Sequence, residues 1–335
     1  MPSARPELWE EQSRNRRDTV LLILAFVALL VVVGLGIDLF LLARGAYEEG
    51  APAPFVPIAA PVALAVGIMQ SVGGFYGGAR AVLGSSRARP ANPEDPREKT
   101  LLNVVEEMRL ASGLPRPQVY VVPDPDPNAF AVGRDPEHAA IAVTQGLLES
   151  LDREELQGVV AHEMGHVRNL DIRTMTLVAA LLGALVLLSD FAARMLRFGG
   201  RGAGGGGGGG RRGGRGGGGA VLAILFVVWI VLVVVTPLLG QMMAFAVSRR
   251  REYDADAAAA EFTRNPRGLA GALRKLEAAA HPTTTIGRGS AHLCIVDPRG
   301  RAINEREGAV ASLFATHPPI AKRIEILEKM AGARA

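Results

Sequence analysis

The sharpest chemical signal in the sequence is His162-Glu163-Met164-Gly165-His166. A spacing of i, i+4 puts both imidazoles on one helical face, one turn apart. Two neutral ring nitrogens so placed can bind one zinc ion at about 2.0–2.1 Å. Glu163 is turned aside from the metal but reaches a water on it. Zinc brings the pKa of that water to about 7, and the carboxylate can take its proton. The hydroxide so made can attack a peptide carbonyl. The expectation is a hydrolase holding one Zn2+ per chain.

Such a site needs a third protein ligand and an open fourth position. The remaining histidines are His138, His281, His292 and His317. The strongest acidic candidate is Glu252 in SRRREYDADA, with Asp256 one turn later on the same face. Taken alone, that segment also reads as a solvated helix start. Asp254 points to another side of the helix. Glu261 rises about 13 Å from Glu252.

The elements that must bring these groups together are legible in outline. Leu101, Leu102, Val104, Val105 and Met108 recur at helical spacing, with Gly113 and Pro115 as stops. Gln118 to Val122 and Ile141 to Thr144 read as strands. Asp152 followed by Glu155 is a capping-box pattern, so the HExxH helix should run from there through Asn169. Further helices are expected over Glu252 to Phe262, 267–279 and 319–331.

Four apolar segments surround these elements. Val20 to Ile37 is an uncharged run of 18 residues, close to a full span as a helix, and Asp38 at its outer end reads as meeting water. Ala51 to Ala79 is a second uncharged stretch. Arginines flank this pair on one side and Glu48–Glu49 on the other, so the positive-inside rule puts both basic flanks in the cytoplasm. Thr174 to Ser189 is marginal as a span, whereas Ala220 to Val247 is long enough despite Pro237. Between them lies the glycine–arginine tract 199–219, read as a flexible linker because it has no aromatic to stack on a base. His166 and Glu252 then stand within roughly 10 Å of the bilayer edge, and an apolar hairpin would return Glu252 to the side of the histidines. Such a site suits substrates that are themselves in the membrane.

Composition agrees with a part-membrane, part-soluble protein. The chain of 335 residues is 49% hydrophobic and 21% charged, and its mean hydropathy lies above zero. Wholesale disorder is excluded by the apolar content. One cysteine, Cys294, excludes an internal disulfide framework and reads as a buried small residue. A net charge of +4 gives no reason to expect a nucleic-acid partner.

HEMGH, SRRREYDADAAAAEF, NAFAVG at 128–133 and THPPIAKRIEIL at 316–327 together resemble the HtpX family of bacterial membrane zinc metalloproteases. The resemblance covers nearly the whole chain. It implies an α+β, mostly helical fold: a zincin-like protease domain attached to about four transmembrane helices. The domains are then a two-helix membrane region over 1–96, protease halves over 97–171 and 248–335, and a hairpin over 172–247. It implies zinc on His162, His166 and Glu252, Glu163 as general base, and Asp256 orienting a ligand histidine. Asn128, Ala129, Phe130 and Ala131 would lie at an edge strand that pairs with substrate, although Asn128 equally suits a turn. His317 would lie near the cleft, although it equally suits capping the last helix. The implied task is quality control, under stress, of misfolded or damaged membrane proteins and unfolded chains. The implied place is the bacterial inner membrane, with the site facing the cytoplasm. The tract 199–219 departs from the family pattern.

Two other readings remain. A protease acting on prenylated C-termini shares the metal motif, but the apolar segments here are too few for its many-helix chamber. A silent chaperone or adaptor with a structural zinc is disfavoured by the intact Glu163. No feature of the sequence sets the oligomeric state.

Overall fold

The computed structural model describes residues 4–45, 56–183, 249–279, 291–296 and 318–332. They fall into two compact units. One comprises Met1–Val20, Gly73–Ala180 and Gln241–Ala335, and the other Leu21–Val72 and Leu181–Gly240.

Two long helices, α1 (Ala4–Gly45) and α2 (Ala59–Ser85), are divided between the units, with Leu21–Gly45 of α1 and Ala59–Val72 of α2 in the second. Trp9–Leu39 and Ala59–Ser85 are long and apolar enough to cross a membrane. Leu24, Val32, Leu39, Ile68 and Met69 are exposed along them, as residues facing lipid would be. Sequence reasoning expected Asp38 to meet water at the end of the first apolar run. Instead it is buried and caps α2, accepting from the backbone N–H groups of Ile58, Ala59 and Ala60 at 3.1, 2.9 and 2.9 Å. Three otherwise orphaned helix-start donors are satisfied by one carboxylate. The last two apolar segments lie outside the described residues, except for 174–183, which is helical.

In the first unit a four-stranded sheet has the order β1-β2-β4-β3: β1 (Arg89–Pro90), β2 (Gln118–Val122), β3 (Ala129–Val132) and β4 (Ala140–Thr144). β2 and β4 run parallel, and the outer pairs are antiparallel. Strand alternation splits the sheet's side chains between two cores. Ala129, Ala131, Ile141 and Val143 pack with α3 (Pro96–Ser112) and α5 (Arg153–Arg168). Phe130, Val132, Ala140 and Ala142 pack with Val82, Leu83, Met175, Ala179 and Cys294. β1 and the short helix α4 (Gln145–Ser150) were not foreseen.

Gly113 closes α3 as expected, in the left-handed region at φ 70°, whereas the cap at its start, Asp95, was not foreseen. Asp152 and Glu155 form the expected capping box at the start of α5. After α5 comes a second helix, α6, over 171–183. Then follow α7 (Arg249–Thr263), α8 (Pro266–Ala278) and α9 (Ile320–Gly332).

Small residues let α5 approach its neighbours closely. A Cβ on Gly158 would lie 2.5 Å from the backbone nitrogen of Leu269 in α8. One on Gly165 would lie 3.0 Å from Ala258 Cβ and 3.1 Å from Ala255 Cα in α7. The glycine of HEMGH and the alanines of DADAAAAEF are thus two halves of one contact, which holds α7 against the histidine helix. Gly158→Ala should lower the unfolding midpoint although alanine favours helix by about 1 kcal/mol, because overpacking costs about 1–3 kcal/mol and here meets backbone. Gly165→Ala should unfold less readily than Gly158→Ala but bind metal more weakly, since α7 must move. A thermal midpoint for Gly158→Ala at or above that of the unsubstituted protein would contradict this packing account.

Candidate metal centre

α5 buries both histidines of its motif. His162, Glu163 and His166 are at most 5% exposed, and Glu252 in the first turn of α7 is 1% exposed. Glu252 Oε2 lies 3.7 Å from His162 Nε2, and its Oε1 lies 3.7 Å from His166 Nε2. One donor atom from each of the three residues falls within 4.8 Å of the others. Zinc bonds of about 2.0–2.1 Å in a tetrahedron set donors roughly 3.4 Å apart, so this spacing suits one small cation. Two imidazoles and one carboxylate are a donor set that zinc accepts and that hard, oxygen-seeking cations do not favour.

Each imidazole is turned by a carboxylate on its far nitrogen. His162 Nδ1 lies 3.0 Å from Asp256 Oδ1, and His166 Nδ1 lies 3.1 Å from Asp171 Oδ2. Both Nε2 atoms are thereby left facing Glu252. Hydrogen bonds of this kind fix the tautomer and ring orientation of a metal-binding histidine. Asp256 stands where the resemblance implied it. Asp171 was not foreseen.

Nor was Arg323. It is completely buried, and α9 carries it at a core position between Ile320 and Leu327. Its Nε and Nη2 donate to Asp256 Oδ2 and Oδ1 at 2.9 and 2.7 Å, a bidentate pair. Its Nη1 lies 3.1 Å from Glu252 Oε2 and donates to the Ile295 carbonyl at 3.2 Å. One guanidinium therefore ties together Glu252, Asp256 and the segment 291–296.

Burial pushes Glu163 up to about 7, and the charge of Glu252 adds to it. The charges of His166 and Arg323 and the N–H of Ala131 pull the other way. Its Oε1 is buried and has no hydrogen-bond partner among the described residues. Burial and the nearby Arg323 depress His162, although Asp256 opposes them. Burial also works against a proton on His166, but Asp171, Glu252 and Glu163 together outweigh it and raise the group to about 9.

A metal must displace the proton on His166, because only the neutral ring coordinates. Metal uptake at pH 7 should therefore release about one proton from His166, and affinity should climb as pH rises towards 9. Calorimetric zinc titrations in buffers of different ionisation enthalpy measure this release. A pH-independent affinity between pH 6 and 8 would contradict it.

The other expected site residues are placed as follows. β3 is an edge strand carrying Ala129, Phe130 and Ala131, and the Ile295 N–H donates to the Ala129 carbonyl at 3.0 Å. Asn128 is fully buried. Its Nδ2 donates to the Val296 carbonyl at 3.0 Å, and its Oδ1 accepts from the N–H of Ala129. Asp254 approaches Arg250, and exposed Glu261 pairs with Arg168, so both face away from the three donors. Exposed His138 pairs with Asp135, and the His292 ring lies 3.2 Å from the Met175 carbonyl. His317 and His281 lie outside the described residues.

Residues 95–331 match the model of peptidase family M48. A protein named Protease HtpX homolog from Limosilactobacillus fermentum is 40% identical over 96% of this chain and 100% of its own length. Proteins of the same name from Limosilactobacillus reuteri and Streptococcus uberis are 39% and 36% identical over the same shares. Among solved structures, the crystal structure of S. mikatae Ste24p matches with a TM-score of 0.47 and 16% identity. That match covers 96% of this chain and 67% of the other.

Proposed function

We propose a specific reaction for this chain, which belongs to peptidase family M48 and is similar to proteases named HtpX homologs: zinc-dependent endopeptidase cleavage of misfolded or damaged membrane proteins at the cytoplasmic face of a bacterial inner membrane. The observation that carries it is the orphaned Glu163 oxygen beside three converging metal donors. Zinc supplies there a Lewis acid that makes water nucleophilic near neutral pH.

The chain's own residues do the rest. His162, His166 and Glu252 hold the ion. Asp256 and Asp171 keep both rings in register. Glu163 takes a proton at its carboxylate and returns it to the departing amine. Burial raises that carboxyl above the ordinary carboxylate range, which favours holding the proton until it is returned. Substrate pairing along 128–131 is assigned on the resemblance alone, since the Ala129 carbonyl accepts from the Ile295 N–H and the Ala129 N–H donates to Asn128 Oδ1, so a substrate strand would have to displace 291–296. His317 is assigned beside the cleft on the resemblance alone. The intact Glu163 favours turnover over a structural zinc in a chaperone or adaptor.

The division into a membrane region over 1–96, protease halves over 97–171 and 248–335, and a hairpin over 172–247 belongs to the same reading. So do four membrane segments. His166 and Glu252 must share one compartment, so the chain between them leaves and returns on the same side. In inverted vesicles, cleavage of a membrane protein should be confined to its cytoplasmic loops. In whole cells, Gly207→Cys should react with an impermeant thiol reagent if both segments cross. The buried Cys294 is not expected to interfere. Cleavage confined to loops on the opposite face would refute the orientation, and protection at position 207 would replace full crossing by a re-entrant hairpin.

A further inference from the structure

The first turns of α1 look, in sequence, like a basic lead-in to a membrane helix. In the structure they reach the metal centre. α1 has 42 residues, about 63 Å of helix, far more than the roughly 30 Å hydrocarbon core. Its polar start is therefore free for other work.

Asn15 is 4% exposed. Its side-chain nitrogen donates both its hydrogens, to the Asn169 carbonyl at 2.7 Å and to Asp171 Oδ1 at 2.8 Å. The other oxygen of Asp171 is the one 3.1 Å from His166 Nδ1. The chain must turn sharply to place Asp171 there, and Leu170 between the two acceptors is left-handed at φ 63°. That conformation is unfavourable for a leucine and persists only where the surroundings fix it. Asn15 grips the turn on both sides of Leu170. Around it, Gln12 Nε2 donates to the Arg168 carbonyl at 2.8 Å, and the hydroxyls of Thr19 and Thr174 lie 2.8 Å apart. Arg251 Nε stands 3.4 Å from Asp171 Oδ1, so the carboxylate keeps a cation beside it even without Asn15. The direction of the carboxylate, by contrast, depends on the Asn15 amide.

We propose that Asn15 is a positioning residue for the metal centre: it fixes the Asp171 carboxylate, which in turn fixes the ring of His166. The start of α1 is then part of the protease as well as a membrane anchor. The proposal rests on His166 being a metal ligand.

The test measures zinc affinity of the full chain in detergent, by competition with a chromophoric chelator, and the visible spectrum of the cobalt-loaded protein. Asn15→Ala should weaken zinc about tenfold, the lower end of the usual effect of losing a ligand's hydrogen-bond partner, and should shift the cobalt bands. Gln12→Ala removes a neighbouring tie from the same helix and should leave both unchanged. In an Asp171→Ala background, Asn15→Ala should cost nothing further, because its effect passes through Asp171. Asn15→Asp sets two carboxylates face to face and should weaken zinc. Adding Asp171→Asn exchanges donor and acceptor and should restore part of the loss, which keeps the test valid if Asn15→Ala does not fold. Unaltered affinity in Asn15→Ala, an equal loss in Gln12→Ala, or the same loss with and without Asp171 would each overturn the proposal. If the unsubstituted protein binds no zinc, it is the assignment of the metal centre itself that fails.

Discussion

Glu163→Gln is expected to keep its metal and lose about 10²–10⁴-fold in turnover, the range for removing a general base. The amide has the volume of the carboxylate it replaces. Its oxygen can still accept from the Ala131 N–H, and its nitrogen then takes the place of the orphaned oxygen. None of the three metal donors is touched, so zinc per chain should not fall. What disappears is the acceptor for a proton. A second signature separates this loss from misfolding. Burial raises Glu163 to about 7 in the metal-free chain and a bound cation would pull it lower, so the unsubstituted enzyme should lose activity as pH falls below 7. With zinc kept saturating, so that protonation of His166 does not empty the site, the residual activity of Glu163→Gln should lack this acid limb. Wild-type turnover in the variant, measured with zinc content on the same sample, would remove Glu163 from the reaction.

Glu252→Ala should strip the zinc while leaving the fold in place. Arg323 loses a neighbour at 3.1 Å but keeps its bidentate bond to Asp256, so no buried charge is abandoned. Asp256→Ala is different. It leaves a wholly buried guanidinium without its main partner, and breaking such a pair costs about 3–5 kcal/mol. That variant should melt earlier and bind zinc more weakly because His162 loses its orienting carboxylate, yet retain more zinc than Glu252→Ala. Glu261→Ala removes only an exposed pair with Arg168 and should change neither property measurably. Zinc per chain and melting point, read together on the three variants, separate the two kinds of loss. Full zinc occupancy in Glu252→Ala would eliminate Glu252 as a ligand.

How much of this was legible depended on how local the signal was. HEMGH declares its chemistry because both imidazoles and the base sit on one helical turn. The stop of α3 at Gly113 and the capping box of α5 were readable for the same reason, since both depend on neighbours in sequence. Glu252 needed an argument about the return of the chain, since no local pattern links α5 to α7. Arg323 left a trace that could have been used: a cation in the Ile320, Arg323, Leu327 stripe occupies a position that a helix normally gives to its core. An arginine there implies a buried carboxylate partner. Asp171 and Asn15 left no comparable trace. A polar residue ahead of an apolar run and an aspartate after a helix both have ordinary local roles, and only the tertiary fold makes them meet. Asp38 was misread for a similar reason: its three partners begin 20 residues away, at the start of α2.

Whether one metal ion on His162, His166 and Glu252 powers peptide-bond cleavage is tested most directly with the full chain purified in detergent, stripped with a chelator, and assayed against an unfolded membrane protein before and after zinc is restored. No cleavage is expected without metal, and recovery should saturate at one zinc per chain. Undiminished cleavage by the metal-free protein would contradict it.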